Sequence, residues 1–334
     1  MMTRKFLLVA GIVLAVVAIM VIGSAGWFFH AVYSDRSFPA VDTRVVIPRG
    51  STFGEIASEL AEKGVIGNAL AFRILGKMRH ADTDAHAGEY RFVARQTQSE
   101  VLQQLTSGGA QIAVWVTIPE GFTAAQIAQR LQEQQIGSAS SYDACFKQRH
   151  IVVDGQPTKS LEGFLFPSTY LIPTDASPDQ VATLLTNQFF VELPKDAVTR
   201  AKALRFTIPQ IITIASLIER EAKADDERAI MAGVYYNRLR IGMPLEVDAT
   251  IEYALPVYKT ELSYADLRVD SPYNSYTHTG LPPTPIANPG EPSIEAAFHP
   301  VHTAYLYYVY KGNGHHAFAK TLEEHNANVA KYLK

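Results

Sequence analysis

Thr207-Ile208-Pro209-Gln210-Ile211-Ile212-Thr213-Ile214-Ala215-Ser216-Leu217-Ile218-Glu219-Arg220-Glu221 is the stretch around which the second half of this 334-residue chain has to be built. Thr207 can cap a helix and Pro209 is tolerated in its first turn. The residues that follow are apolar almost all round, so the helix must be buried. It ends on two carboxylates. A glutamate leaving the end of a buried helix is partly desolvated, which raises its pKa and suits it to general acid work near neutral pH. Spacing leaves the choice open. Glu219 shares a stripe with Ile212, Ala215 and Ser216, whereas Glu221 shares one with Ile214, Leu217 and Ile218. A plain surface pairing with Arg220 or a lysine is the bland alternative for either.

Outward from this helix, 154–160 is polar and rich in turn residues, and 161–170 is apolar and aromatic around a single carboxylate, Glu162. Downstream, Asp225-Asp226-Glu227 suits the positive end of a helix that closes with Arg238, Arg240 and Gly242. Asn237 falls on the inward stripe of that helix and needs polar company there. Asp248 follows in 245–253. The segments 271–276 and 280–290 are too dense in Pro, Gly and aromatic residues to be regular throughout. A rigid loop carrying Tyr273 and Asn274 is what a sugar groove needs, although a plain connection would have the same composition. A Tyr-rich strand over 304–311 and a helix over 322–333 close the chain. His299, His302, His315 and His316 match no zinc spacing, and neither a phosphate-cradling glycine motif nor a Gly-x-Ser-x-Gly elbow is present.

The first half contains a repeat. Laying 45–62 over 116–133 matches nine of 18 positions, among them Pro48/Pro119, Gly50/Gly121, Thr52/Thr123 and Leu60/Leu131. Each copy reads as a short strand, a Pro-x-Gly turn, and a Thr-capped amphipathic helix. Between the copies, 88–93 reads as a strand and 99–105 as a helix capped by Ser99 and ended by Ser107-Gly108-Gly109.

Residues 6–29 form an uncharged, apolar run preceded by Arg4 and Lys5, with Trp27 at its far end. That length crosses a hydrocarbon core of about 30 Å. The positive residues favour a cytoplasmic N-terminus. A cleaved signal peptide is the competing reading, but its apolar core would be only about 7–15 residues. Twenty of these 24 positions are hydrophobic, so the remaining 310 are about 44% hydrophobic, ordinary for soluble domains despite the mean hydropathy of +0.00. The net charge of −3 gives no footprint for nucleic acid, and setting Arg4 and Lys5 aside leaves −5 outside the cytoplasm. A single Cys145 forms neither an internal disulfide nor a thiolate metal site.

These residues carry a resemblance. The first repeat resembles a LysM module, a glycan-binding unit, though the Asp of that family's turn is replaced and a pure spacer role is the alternative. From about Val41 to the C-terminus the chain resembles the endolytic murein transglycosylase family, the YceG-like proteins. The motifs are Leu161-Glu162-Gly163 with Phe166-Pro167, Ala215-Ser216-Leu217-Ile218-Glu219, Asn237-Arg238-Leu239, Asp248 with Thr250 and Tyr253, Ser271-Pro272-Tyr273-Asn274, Gly280-Leu281-Pro282-Pro283 and Asn288-Pro289-Gly290. Thr284, Glu246 and Ala249 depart from the family pattern of Gly, Gln and Pro.

The resemblance implies an α+β chain with a transmembrane helix, small LysM-like βα subdomains and a mixed α/β catalytic domain. The expected partition is a cytoplasmic tail 1–5, the membrane helix 6–29, a linker 30–44, a LysM-like domain 45–110, and a catalytic domain 111–334 that begins with the second repeat over 111–150. It maps the catalytic glutamate onto Glu219 and implies cleavage of the MurNAc-β-1,4-GlcNAc bond with 1,6-anhydro ends, without cofactor or metal. Glu162, Asn237, Asp248, Tyr273 and Asn274 are the expected substrate-binding tier. Implied partners are peptidoglycan glycan strands, the bacterial inner membrane through a single span, and peptidoglycan synthases of the elongation machinery, with the catalytic domain periplasmic. A non-catalytic, membrane-tethered glycan binder is the alternative. A pyridoxal-phosphate lyase, suggested by older naming of the family, fits poorly with the membrane helix and offers no obvious Schiff-base lysine in the motifs.

Overall fold

The computed structural model describes residues 2–107, 111–257, 259 and 261–333. The chain is α+β. In order it forms α1 (Met2–Phe29), a π-helical turn His30–Ser34, β1 (Thr43–Ile47), α2 (Phe53–Glu62), α3 (Ala69–Met78), β2 (Gly88–Phe92), α4 (Gln98–Ser107) and β3 (Gln111–Thr117). There follow α5 (Ala124–Glu133), α6 (Ala139–Gln148), the two-residue strands β4 (Val152–Val153) and β5 (Gln156–Pro157), and β6 (Thr169–Pro173). The last part comprises α7 (Pro178–Glu192), α8 (Ala197–Leu204), α9 (Ile208–Glu221), α10 (Asp225–Arg240), α11 (Asp248–Ala254) and α12 (Glu291–Phe298). A hairpin of β7 (Tyr307–Gly312) and β8 (His315–Ala319) and the helix α13 (Leu322–Tyr332) end it.

Backbone contacts divide the chain into two compact units, Met1–Trp115 with Leu171–Asp175, and Val116–Tyr170 with Ala176–Lys334. In the first, Gly11–Ser34 is the one unbroken helical segment among the described residues long and apolar enough to cross a membrane. Its most apolar window has a mean hydropathy of 2.5 and is wholly unburied. The helical path continues past Phe29, and Val32 is already buried with Val45, Ile47, Phe53, Leu60, Phe72 and Tyr90. Phe53 stacks on Phe72 with ring centroids 5.4 Å apart, fastening α2 to α3.

The repeat is structural as well as textual. Gly50 and Gly121 take φ of +80° and +75°, the left-handed turn that a side chain would strain. Thr52 with Glu55, and Thr123 with Gln126, close identical capping boxes on α2 and α5. Each copy then adds a second helix, α3 or α6, and a returning strand. The four-stranded sheet has the order β1-β2-β3-β6, with β2 antiparallel to β1. Ile118 N donates to Ser168 O and Thr174 N to Ile112 O, so β6 returns antiparallel on β3. The eighteen aligned positions are thus the first part of a strand-helix-helix-strand unit used twice.

The second unit is organised on α9, in which every residue from Ile211 to Ile218 is buried. Thr207 and Gln210 form its capping box, as its sequence leads one to expect. Two local expectations are corrected, the cap of α4 and the start of the closing strand. The cap of α4 is Thr97 rather than Ser99, because Glu100 three residues later completes a capping box with Thr97. The expected end of that helix at Gly108-Gly109 lies outside the described residues. The closing strand begins at Tyr307, not Ala304, because the carbonyls of Thr303 and Tyr305 are taken by the Asn237 side chain instead of a ladder. The turn-rich 154–160 contains a minimal hairpin of β4 and β5 around Asp154 and Gly155, both at positive φ.

Thr123→Ala and Thr207→Ala each remove one cap from a packed helix. Each is expected to lower stability by about 1 kcal/mol, read as an earlier midpoint in urea denaturation.

Candidate functional site

α9 delivers Glu219 to the surface of its own core with the side chain only 7% exposed. Its Oε2 accepts the Gly290 N–H at 3.1 Å and faces Arg228 Nη1 at 3.5 Å. Among the described residues Oε1 takes no hydrogen bond. Arg228, at the first turn of α10, is steadied by Asp225 at 3.0 Å and by a short bond to Ser293 Oγ. Glu221, the other carboxylate that spacing allows, points elsewhere. It accepts from Tyr308 OH at 3.2 Å, and burial together with the charge of Asp248 pushes its carboxyl up to about 7.

Three loop segments meet behind Glu219, and Asn288 joins them. Fully buried, it donates from Nδ2 to Phe122 O at 2.8 Å and to Glu162 Oε1 at 3.1 Å, and accepts at Oδ1 from Gly163 N and Leu165 N at 3.0 and 2.8 Å. Its backbone adds a reciprocal pair, Gly121 N to Asn288 O and Asn288 N to Phe122 O. Ile286 N donates to the buried Ser216 Oγ at 3.1 Å, which anchors this loop to α9. The turn Pro119-Glu120-Gly121 is thereby held against the end of α9. Arg220 Nη1 reaches Gly121 O at 3.4 Å while Nη2 pairs with Glu252 at 2.6 Å.

The residues expected to bind substrate are only partly brought together. Glu162 is 6% exposed and accepts from Ala124 N, the first residue of α5, so it acts as an anionic cap for that helix. It also accepts from Tyr253 OH at 3.2 Å. Burial pushes its carboxyl up to about 7 in spite of these donors. Tyr273 stacks obliquely on Tyr253 with ring centroids 4.9 Å apart and shares a 2.8 Å bond with Thr284 Oγ1. The hydroxyl of Thr284 is therefore absorbed locally. Asn237 and Asn274 are spent on backbone: Asn237 on Thr303 O and Tyr305 O, Asn274 on Leu267 O and Val269 O. Asp248 accepts from Tyr276 OH at the start of α11.

Two clefts of about 570 and 520 Å³ flank Glu162. The larger runs along Pro209, Phe206 and the 280–285 loop and does not include Glu219. The smaller is lined by Thr123, Gln126, Arg220, Glu252 and Tyr253. Arg220 also borders a third, of about 390 Å³, with Glu221, Lys223, Tyr310 and His316. Glu219 lines none of these three clefts, whereas its neighbour Arg220 lines two of them.

Sequence reasoning passed over Glu120, Arg228 and the hub role of Asn288. Glu120 stands in the turn of the second repeat and packs against Gly290 so closely that a Cβ there would fall on its carboxyl. Its carboxyl is pushed up, first by burial and then by the charge of Glu219. The one available signal was that the repeat places Arg49 at the corresponding position, an unlike pair inside an otherwise matched turn.

Comparison with known proteins gives a consistent picture. Residues 45–331 match the model of the YceG-like family. An endolytic murein transglycosylase of Bacillus subtilis is 37% identical over 305 residues, covering 86% of this chain and 84% of that protein. One from Streptococcus pneumoniae is 29% identical over 366 residues, covering 97% of this chain and 66% of that protein. A crystal structure of a yceG-like protein from Listeria monocytogenes superposes with a TM-score of 0.63 at 32% identity, covering 86% of this chain and 99% of that one.

A carboxyl whose pKa is raised by folding binds its proton more tightly in the native state, so its contribution is full at acid pH and is lost as pH rises to about 7. Glu162 is thus expected to cost ~3 kcal/mol of stability between pH 4.5 and 8. Melting temperatures measured across that range should fall, and Glu162→Gln should flatten the decline. Asn288→Ala strands the buried N–H groups of Gly163 and Leu165, while Phe122 O and Glu162 each keep another donor, and should destabilise by at least about 2 kcal/mol in the same assay.

Proposed function

The chain belongs to the YceG-like family, and from that premise we propose that it is a membrane-anchored endolytic murein transglycosylase whose Glu219 performs the proton chemistry. The names of its curated relatives support the activity, and the apolar segment Gly11–Ser34 supports the anchor. Arg4 and Lys5 before that segment support a cytoplasmic N-terminus and a periplasmic catalytic unit. The strand, turn and helix opening the region 45–110 support a LysM-like, glycan-holding module ahead of the catalytic region 111–334.

The observation that carries the reading is the asymmetric clamp on Glu219. Gly290 N–H and Arg228 hold Oε2, which fixes the carboxyl plane and leaves Oε1 as the oxygen that carries a proton. That proton goes to the glycosidic oxygen as the MurNAc C1–O bond breaks. The C6 hydroxyl of the same sugar then closes on C1 and releases its own proton to carboxylate, so the product is a 1,6-anhydro end and no water is consumed. Arg220 and Glu252, at the mouth of the neighbouring cleft, offer a donor and an acceptor to sugar hydroxyls and amides. With Glu162, Asn237 and Asn274 committed inward, their part in substrate binding is to hold the shape of the groove. Tyr273 and Asp248 keep sugar-facing roles in this reading. Cutting inside nascent strands would end their elongation, which is where synthases of the elongation machinery would meet this enzyme.

Glu219→Gln should remain folded and lose at least about 10²–10⁴-fold in cleavage of glycan strands. Mass spectrometry of digested sacculi should show anhydro ends. Reducing ends, heavier by one water, or unimpaired cleavage by the variant, would refute the mechanism.

A further inference from the structure

Two protons move in this reaction, at two oxygens flanking C1, whereas Glu219 presents one free oxygen. Its other oxygen is committed to Gly290 and Arg228, and the side chain is 7% exposed. A group bonded at Oε2 and nearly sealed is poorly placed to serve both the leaving and the attacking oxygen. The second carboxyl in the neighbourhood is Glu120. Gly290 relates the two: its N–H binds Glu219 Oε2 while its Cα lies against the Glu120 carboxyl, which puts the oxygens no more than about 8 Å apart. That bound does not exceed the separation of about 9.5 Å across which paired carboxyls of glycoside hydrolases still serve one sugar. Glu120 is the exposed member of the pair.

We propose that Glu120 is a second catalytic carboxyl of this site, the base that takes the proton from the C6 hydroxyl. The proposal rests on the reading of Glu219 as the acid and moves only the receiving step. Glu219 Oε1–H gives its proton to the glycosidic oxygen, the C1–O electron pair leaves on that oxygen, an O6 pair forms the O6–C1 bond, and the O6 proton passes to Glu120. Glu120 then holds the proton that Glu219 lacks, and its return through solvent between them restores the pair. No co-reactant is needed.

The surroundings favour this division. Facing Glu120 are the carboxylates of Glu219, Asp225 and Glu291 and the guanidinium of Arg228, with burial and Glu219 the stronger influences, so it is a better proton acceptor than a free carboxylate. The clasp of Asn288 on 121–122 keeps the turn from swinging away.

The test uses the full chain in detergent with peptidoglycan strands and reads the pH profile of kcat/KM beside the melting temperature. Glu120→Gln should fold, lose at least about 10²-fold, and lose the acid limb of the profile while keeping the alkaline limb. Gly290→Ala is the second variant, since its φ of −76° suits any residue and it retains the N–H to Glu219 while displacing the Glu120 carboxyl. It should show the same change in profile. Activity of Glu120→Gln within about threefold of the parent, or a slow variant with both limbs intact, overturns the proposal. If Glu219→Gln also stays active, the functional reading falls as well; if only Glu219→Gln is dead, that reading stands and Glu120 is no base.

Discussion

Everything near Glu219 depends on one side-chain amide. Asn288 has two donor hydrogens and two acceptor lone pairs, and all four are used inside the protein. Only a primary amide, on Asn or Gln, offers two donors and two acceptors in that small a plane, and Asn carries it on the shorter arm. The amide fixes the 120–122 turn, the 162–165 segment and its own loop in one register. Gly290, two residues on, then has its N–H aimed at Glu219. The orientation of the Glu219 carboxyl is thus set by loops as well as by α9, which supplies it.

This arrangement has an electrostatic cost that the fold accepts in order to keep its shape. Glu162 is buried with three donors, Ala124 N, Asn288 Nδ2 and Tyr253 OH, yet burial still outweighs them. It satisfies the start of α5 and one hydrogen of Asn288 at once, which a neutral apolar residue would leave unpaired. A glutamate that reads like a substrate-binding residue, alone in an apolar run, is here the acceptor that the hub requires.

The sequence showed what local periodicity and capping control. The buried helix ending on Glu219, the caps at Thr52, Thr123 and Thr207, and the repeat turns at Gly50 and Gly121 follow from spacing and turn chemistry. The inward Asn237 also met its predicted polar company. What stayed hidden depends on pairs far apart in the chain. Asn288 and Gly163 are 125 positions apart, and the side chain of Glu120 meets a glycine 170 positions later. Residues such as Asn274 looked like sugar ligands because a loop amide that binds backbone and one that binds sugar have the same composition around them.

The duplicated unit explains how such a site can be built economically. Both copies make the same left-handed glycine turn and the same capping box, so the path of the backbone is set before any function is added. At the position before that glycine the first copy has Arg49 and the second Glu120. The turn of the second copy alone carries the two-way backbone pairing with Asn288. A repeat that needs only a strand, a turn and a capped helix does not fix the side chain at this position, which is exposed in both copies. A carboxylate at that position, with a glycine opposite it to admit the group, brings a second charge to Glu219 on the same left-handed glycine turn.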